Sequence, residues 1–247
     1  MQTKNKEALS RTEQLIGSDA LSRLGRARVI IFGVGGVGGY ALEALVRTGV
    51  LNVDIYDADT VSPSNLNRQI IATEDTVGMS KCRAAAMRTR AINPDANIGI
   101  YEVFYSPENK GEFDLTKYDY IIDAIDTLSS KCTLIEEAIG CGVKIISSMG
   151  AGGKLDPTKI EITDIYKTTV CPLARAVRGE LKRRGIKRLK VVYSPEEPIK
   201  KYVIDTHGER VLHRAPGSVI FVPAAAGLAL AYEVVRDIIS DEEHTQG

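Results

Sequence analysis

Between residues 33 and 81 the chain carries an ordered series of groups suited to holding a nucleotide and steadying charge on it. The series opens with Gly33-Val-Gly35-Gly36-Val-Gly38. Glycines in this spacing let backbone N–H groups approach phosphate oxygens. Asp57 follows 19 residues after Gly38, with Asp59 just beyond it. A carboxylate at that distance from a glycine turn is placed to accept hydrogen bonds from ribose hydroxyls. Asn65, Arg68 and Gln69 come next, and then Lys81. An Arg and a Lys beside a phosphate cradle offset the charge of a triphosphate and of pyrophosphate as it leaves. Taken singly, each cation reads as surface charge. Taken with the glycine turn, both read as phosphate ligands, which a hydride-transfer site would leave idle. Asp126 adds a carboxylate that can help hold Mg²⁺ near phosphates. Asp123, three residues earlier, reads instead as a buried, hydrogen-bonded carboxylate at a strand end. The chemistry these residues suggest is activation of a carboxylate by ATP.

The elements around these residues place them at one edge of a sheet. Residues 29–33 form a continuous apolar run, the mark of a strand buried on both faces. Val37, Leu42, Leu45 and Val46 recur at helical spacing over 37–48. Residues 52–57 read as a second strand, completing a βαβ unit with the glycine turn at its first corner. Further strands are expected at 98–103, 118–126 and 143–148, with helices at 79–92 and 128–140. This alternation predicts an α/β, Rossmann-like, doubly wound and mostly parallel sheet. Residues 160–165 alternate in polarity and predict an antiparallel strand outside the wound core. A basic helix at 172–184, a strand at 190–194 and a closing helix at 223–239 follow. Residues 195–217, rich in Pro, Gly and charge, read as a loop. Near the N-terminus, 11–24 reads as an amphipathic helix broken near Gly17.

Composition narrows the classes. At 247 residues the chain fits one domain, with a nucleotide-binding core over 1–153 and a substrate or dimer portion over 154–247. Lys plus Arg equals Asp plus Glu, 32 each, so net charge names no partner. The four cysteines, at 82, 132, 141 and 171, form no C-x-x-C pair, which removes the usual structural zinc site. Sparse cysteines and a polar N-terminus without a signal sequence predict a cytoplasmic protein. The uncharged stretch 215–232 is interrupted by Pro216, Gly217, Pro223 and Gly227. It reads as a core helix with an extended entry, not as a membrane span.

The combination GVGGVG, DAD, SNLNRQ, SK and DAIDT resembles the E1-like adenylating family of the ThiF/MoeB type, over nearly the whole chain. The resemblance implies an E1-like adenylation fold with ATP and Mg²⁺. It places Asp57 on the ribose, Asn65, Arg68, Gln69 and Lys81 around the phosphates, and Asp126 with the metal. Arg11, in RTEQLIG, matches an N-terminal arginine that in the family reaches into a partner's ATP site. That implies a homodimer with Arg68, Lys81, Asp126 and the partner-donated Arg11 as its catalytic set. Without the resemblance, Arg11 is only a surface charge.

Family members that activate ubiquitin-like sulfur carriers commonly carry paired C-x-x-C ligands, which are absent here. Residues 168–194 and 215–237 are similar to the tRNA threonylcarbamoyladenosine dehydratase branch. That similarity implies ATP-dependent loss of water from a threonylcarbamoyl group on a tRNA adenosine, closing it to a cyclic form. The segment 175–190 holds Arg175, Arg178, Lys182, Arg183, Arg184, Lys187, Arg188 and Lys190 against Glu180 alone. Such a cluster in a neutral chain is the expected footprint of tRNA phosphates, with Arg175, Arg178 and Lys182 on one helix face. A solvated charged face is the alternative reading, and an acidic protein could use it too. Cys171 reads as a free, non-catalytic thiol, since an intramolecular cyclisation needs no enzyme nucleophile. Three other functions stay open on sequence alone. They are adenylation of a ubiquitin-like C-terminus with a sulfur-transfer partner, a noncatalytic nucleotide-binding module and an NAD-dependent dehydrogenase.

Overall fold

A computed structural model describes residues 7–199, 202–204, 210–212 and 216–240. Seven segments built around β-branched residues form β1 (Arg28–Phe32), β2 (Asn52–Tyr56), β3 (Asn97–Tyr101), β4 (Tyr120–Asp123), β5 (Lys144–Ser148), β6 (Glu161–Asp164) and β7 (Lys190–Tyr193). They pair in the order β3-β2-β1-β4-β5-β7-β6. All neighbours are parallel except β6, which runs antiparallel to β7 with Glu161 opposite Tyr193. The antiparallel strand expected outside the wound core is thus the edge of the main sheet, beyond its parallel strands.

Alternation along the strands divides the core. Val29, Ile31, Val53, Ile55 and Ile122 face one apolar layer, while Ile30, Phe32, Ile121 and Val191 face the other. The first layer is closed by α3 (Gly38–Thr48), α4 (Lys81–Ile92) and α7 (Phe221–Ser240) through Leu42, Leu45, Ala85 and Leu230. The second is closed by α5 (Leu128–Gly140) and α6 (Pro172–Arg183) through Leu134, Ile135, Val177 and Leu181. α7 lies close on α3. A Cβ on Gly227 would come within 2.4 Å of the Val37 carbonyl oxygen, so only glycine permits that approach.

The N-terminal amphipathic segment is two helices, α1 (Ser10–Ile16) and α2 (Ser18–Arg26), separated by Gly17 at φ 85°. α4 starts at Lys81 because the Ser80 hydroxyl caps it, accepting the Arg83 N–H at 3.4 Å. α7 begins at Phe221, and Pro223 is tolerated there because first-turn N–H groups have no helical partner. Within the expected 195–217 loop, residues 200–201, 205–209 and 213–215 lie outside the described residues. β8 (Tyr202–Ile204) and β9 (Arg210–Leu212) pair antiparallel as a separate ribbon. Among the described residues no helix is long and apolar enough to cross a membrane.

Candidate active site

The chain runs β1, β2, β3 in one direction and then returns to lay β4 on the other side of β1. Open α/β sheets bind ligands at such a switch point, outside the strand carboxyl ends. A cavity of about 410 Å³ opens there. Its walls include Gly33, Gly35, Gly36, Asp57, Asp59, Asn65, Arg68, Gln69, Lys81 and Asp126. Residues separated by more than ninety positions in sequence therefore meet in one space.

The glycines divide by role. Gly33 adopts φ 88°, and a Cβ there would lie 2.9 Å from the Ala124 carbonyl oxygen. Gly35 and Gly36 leave their backbone open to the cavity, with nearest neighbours at 3.7 Å and 3.5 Å from an added Cβ. Gly38 is not a wall of the cavity. A Cβ there would sit 1.8 Å from the Gly33 carbonyl oxygen, so its work is to let α3 pack against the end of β1. The sequence expectation that Gly38 also contacts the nucleotide is a separate matter from this packing role.

Asp57 is held by two backbone donors. The Val34 N–H reaches Oδ2 at 2.9 Å and the Asp59 N–H reaches Oδ1 at 2.9 Å. Burial holds its carboxyl above the usual carboxylate range, opposed by the Lys81 charge and by both N–H donors. Lys81 is buried, 7% exposed, and its Nζ lies 2.6 Å from Asp59 Oδ2 and 3.9 Å from Asp57 Oδ1. The Asp59 side chain is 71% exposed, so Lys81 can exchange it for an anionic ligand at small cost.

Asn65 is buried, and its Oδ1 accepts the Ser62 N–H at 3.0 Å. That bond closes the short turn Pro63–Asn65 over the cavity. Arg68 is half-buried and donates to the Ser64 carbonyl at 2.7 Å and to Asn67 Oδ1 at 3.0 Å. Gln69 is 7% exposed, and its Oε1 is buried without a hydrogen-bond partner. An orphaned acceptor in a cavity wall favours a ligand that brings a donor.

Asp126 is exposed, with Thr127 Oγ1 3.5 Å away. Asp123 is fully buried, as expected of a strand-end carboxylate, and bonds to Lys131 and Ser147. Sequence reasoning missed Lys131; the signal was a lone cation among the uncharged residues 127–135 that follow Asp126. It also missed Val103, Phe104 and Tyr105, which follow β3 and line the cavity, as do Ala151 and Ser218.

Arg11 is exposed on α1 and is not part of its own cavity. Leu9, just before α1, packs near Gly49, which precedes β2. α1 therefore sits at the amino edge of the sheet, a strand length of about 16 Å from the cavity.

The basic segment does not act as one patch. Arg178 is half-buried and donates to the Thr168 carbonyl at 2.9 Å. Arg184 bonds Glu180 Oε1 and Glu136 Oε2, each at 2.9 Å. Lys190 pairs with Glu233 and Asp237 at 2.7 and 2.5 Å. Arg178 and Arg184 are thus half-buried and bonded within the chain, unlike the other cations of the predicted tRNA-facing set. Arg175, Lys182, Arg183, Lys187 and Arg188 are exposed, although Arg183 also contacts Glu180. They are also spread out. Cys171, which caps the start of α6, has its Sγ 3.5 Å from a Cβ built on Gly150, beyond the carboxyl end of β5. Arg184, Lys187 and Arg188 line a cleft with Tyr120, Lys144 and Lys190, which open β4, β5 and β7. α6 thus runs from the cavity edge to the opposite edge, about 18 Å. Cys171 is buried and free.

Known proteins are similar to this chain in sequence and in fold. The tRNA threonylcarbamoyladenosine dehydratase of Bacillus subtilis (strain 168) is 39% identical over 242 residues, 95% of each chain. The structure of the E. coli tRNA N6-threonylcarbamoyladenosine dehydratase in complex with ATP superposes with a TM-score of 0.90 at 31% identity. It covers 100% of this chain and 99% of that one. An adenylyltransferase and sulfurtransferase of Ogataea parapolymorpha is 40% identical over 128 residues, 51% of this chain and 32% of its own. The ThiF family model matches residues 9–246, and with that reach over both the cavity and α7 the chain belongs to the ThiF family.

Proposed function

We propose that this chain is an ATP-dependent, adenylate-forming enzyme of the cytoplasm that cyclises N6-threonylcarbamoyladenosine in tRNA. The observation that carries the reading is the convergence of Asp57, Asn65, Arg68, Gln69, Lys81 and Asp126 on one glycine-floored cavity. Similarity to a threonylcarbamoyladenosine dehydratase over 95% of the chain supports the substrate. The matched sulfurtransferase covers 51% of it, and the chain lacks C-x-x-C pairs. Both facts weigh against a ubiquitin-like tail as the activated carboxylate.

ATP lays its phosphates against the backbone at Gly35 and Gly36, and its ribose hydroxyls donate to Asp57. The substrate carboxylate attacks the α-phosphorus. A carboxyl-adenylate forms, and the bond to pyrophosphate breaks. Lys81 gives up Asp59 to meet the departing charge, together with Arg68. The carbamoyl group of the same modification then attacks the activated carbonyl and expels AMP. One oxygen of the original carboxylate leaves on AMP, and a proton goes to solvent, so the net change is loss of water. Attacking and attacked groups share one nucleoside, which supplies a large proximity gain.

Asp126 fits a Mg²⁺ role. Among the described residues no three His, Cys, Asp or Glu side chains cluster as a protein-only metal site. A single accessible carboxylate beside a phosphate site is how Mg²⁺ is usually held. Bound there, the ion would offset phosphate charge. A second copy of the chain supports completion of the site, because Arg11 lies at the far edge of its own sheet. The exposed Arg175, Lys182, Arg183, Lys187 and Arg188 offer phosphate contacts to tRNA.

The test is incubation of purified protein and ATP with threonylcarbamoylated tRNA carrying heavy oxygen in the carboxylate, followed by mass spectrometry. Cyclic nucleoside, AMP and pyrophosphate in equal amounts, with one heavy oxygen in AMP, are expected. ADP as product, or cyclisation without nucleotide consumption, refutes the proposal. So does pyrophosphate exchange stimulated by a small Gly-Gly-ended protein but not by tRNA.

A further inference from the structure

Lys131 and Asp123 form an ion pair with both side chains 0% exposed. Such a pair contributes little net stability, because desolvation consumes most of the attraction. Its geometry shows what it holds in place. Lys131 Nζ lies 2.7 Å from Asp123 Oδ2, 3.1 Å from Ser147 Oγ and 3.0 Å from the Ser148 carbonyl oxygen. Ser147 Oγ also donates to Asp123 Oδ2 at 2.6 Å. One cation thus ties α5 to the carboxyl ends of β4 and β5.

The other carboxylate oxygen points the network at the cavity. Asp123 Oδ1 accepts the Ile125 N–H at 3.0 Å, closing the turn that carries Asp126. The Ala124 N–H donates to the Phe32 carbonyl at 2.8 Å. The Ala124 carbonyl oxygen would lie 2.9 Å from a Cβ on Gly33. The Asp126 turn therefore abuts the glycine turn with no room for slippage.

We infer that the Lys131–Asp123–Ser147 network is a positioning device for Asp126, fixing residues 124–126 so that this carboxylate meets the nucleotide phosphates and their metal. The inference rests on the adenylation reading above. It makes a chemical demand on Asp123: both oxygens must accept. Oδ1 takes the Ile125 N–H, and Oδ2 takes Lys131 and Ser147. An asparagine has one acceptor oxygen. Asp123→Asn must set its NH₂ against either the Ile125 N–H or the Lys131 ammonium. Adding Lys131→Met removes that conflict. The amide oxygen can then accept the Ile125 N–H while the NH₂ donates to the Ser147 hydroxyl.

The experiment measures Mn²⁺ binding to the protein–ATP complex by electron paramagnetic resonance. Metal-free ATP affinity by calorimetry in EDTA and the urea unfolding midpoint are measured alongside. Asp123→Asn is expected to weaken Mn²⁺ binding roughly tenfold, the lower end of what outer-shell partners of metal ligands cost, with metal-free ATP affinity unchanged. The double variant is expected to recover most of that loss. Ser147→Ala, which removes one donor without creating a conflict, is expected to shift Mn²⁺ binding the same way by less. A loss of stability alone would leave Mn²⁺ binding by the folded fraction untouched. Asp126→Ala is the control. If it weakens Mn²⁺ binding while folded Ser147→Ala and the Asp123 variants do not, the inference fails and the adenylation reading stands. If Asp126→Ala itself changes nothing, the metal role in that reading fails.

Discussion

Gly35 and Gly38 lie three residues apart in one motif, yet alanine at each should do opposite things to the fold. At Gly35 an added Cβ would meet Gln69 Nε2 at 3.7 Å, an ordinary contact, and Gly35 does not have a positive φ. Gly35→Ala should therefore leave the fold intact. Restricting the unfolded chain even stabilises by about 0.4–1 kcal/mol. The methyl group, however, stands in the cavity between the turn and Gln69. A phosphate held off the turn loses backbone hydrogen bonds, each about 1.5–3 kcal/mol for a charged acceptor. Loss of one bond weakens ATP binding by roughly 10- to 150-fold. At Gly38 the Cβ would lie 1.8 Å from the Gly33 carbonyl oxygen, against a floor of 3.0 Å for real contacts. The turn or α3 must move by more than an ångström. That overpacking costs about 1–3 kcal/mol and spoils the phosphate site as well. Urea unfolding without nucleotide and calorimetric titration with ATP separate the two cases. Gly35→Ala should keep or raise its midpoint and lose ATP affinity, while Gly38→Ala should lose both. Unchanged ATP affinity in Gly35→Ala would refute the placement of the phosphates. An unchanged midpoint in Gly38→Ala would refute the close contact.

Asp57 should make ATP binding pH-dependent. Its carboxyl is raised chiefly by burial, so the folded chain keeps the proton at pH values where the unfolded chain has lost it. Its contribution to stability is present below the unfolded value and is lost as pH rises through the raised one. ATP binding runs the other way, because ribose hydroxyls donate to the ionised carboxylate. Affinity should fall as pH drops through the raised value, and Asp57→Asn should weaken binding and flatten that limb in a calorimetric pH series. For tRNA, replacing Arg175, Lys182, Lys187 or Arg188 with Ala should flatten the dependence of log affinity on log salt by about 0.7–0.9 for each phosphate left without its cation. Arg178→Ala should leave that slope alone and lower the unfolding midpoint, since its donors hold Thr168. Filter binding across a salt series and urea unfolding check these, and an unchanged slope in the first set would remove this surface from the tRNA-binding face.

Much of the site was legible because local rules governed it. The glycine turn, Asp57 and the βαβ unit follow from spacing that a strand–turn–helix corner imposes. Asp123 read correctly as structural because a strand ending beneath a helix leaves its carboxylate no water. The misses share a cause: spacing shows which face of its own element a residue occupies, not what lies opposite. Spacing puts Arg178 on one helix face with Arg175 and Lys182, but not the Thr168 carbonyl that stands opposite it. The motif places Gly38 on the turn, but not the Gly33 carbonyl oxygen that fills the space a Cβ there would need. The β8–β9 ribbon was hidden because two three-residue strands among Pro, Gly and charges offer too short an alternation to stand out from a loop.

Partner status, more than the count of cations, separates those available to ligands from those that build the fold. Lys131 and Arg178 each bond groups that are themselves fixed by the fold, so moving either would leave a buried acceptor unpaired. Lys81 is as deeply placed as many structural lysines, yet its short contact is to Asp59, whose side chain is 71% exposed. Water can replace Lys81 at Asp59 but could not replace Lys131 at Asp123. An incoming phosphate therefore competes for Lys81 against a partner that loses little by release. The surrounding charges set up the same exchange. Asp57 keeps its two backbone N–H donors when Lys81 turns to phosphate, so the move strands no carboxylate. A cation that can leave its partner without stranding it can follow charge as it shifts from ATP to pyrophosphate, and among the lysines of this cavity and its supporting network Lys81 has that property while Lys131 does not.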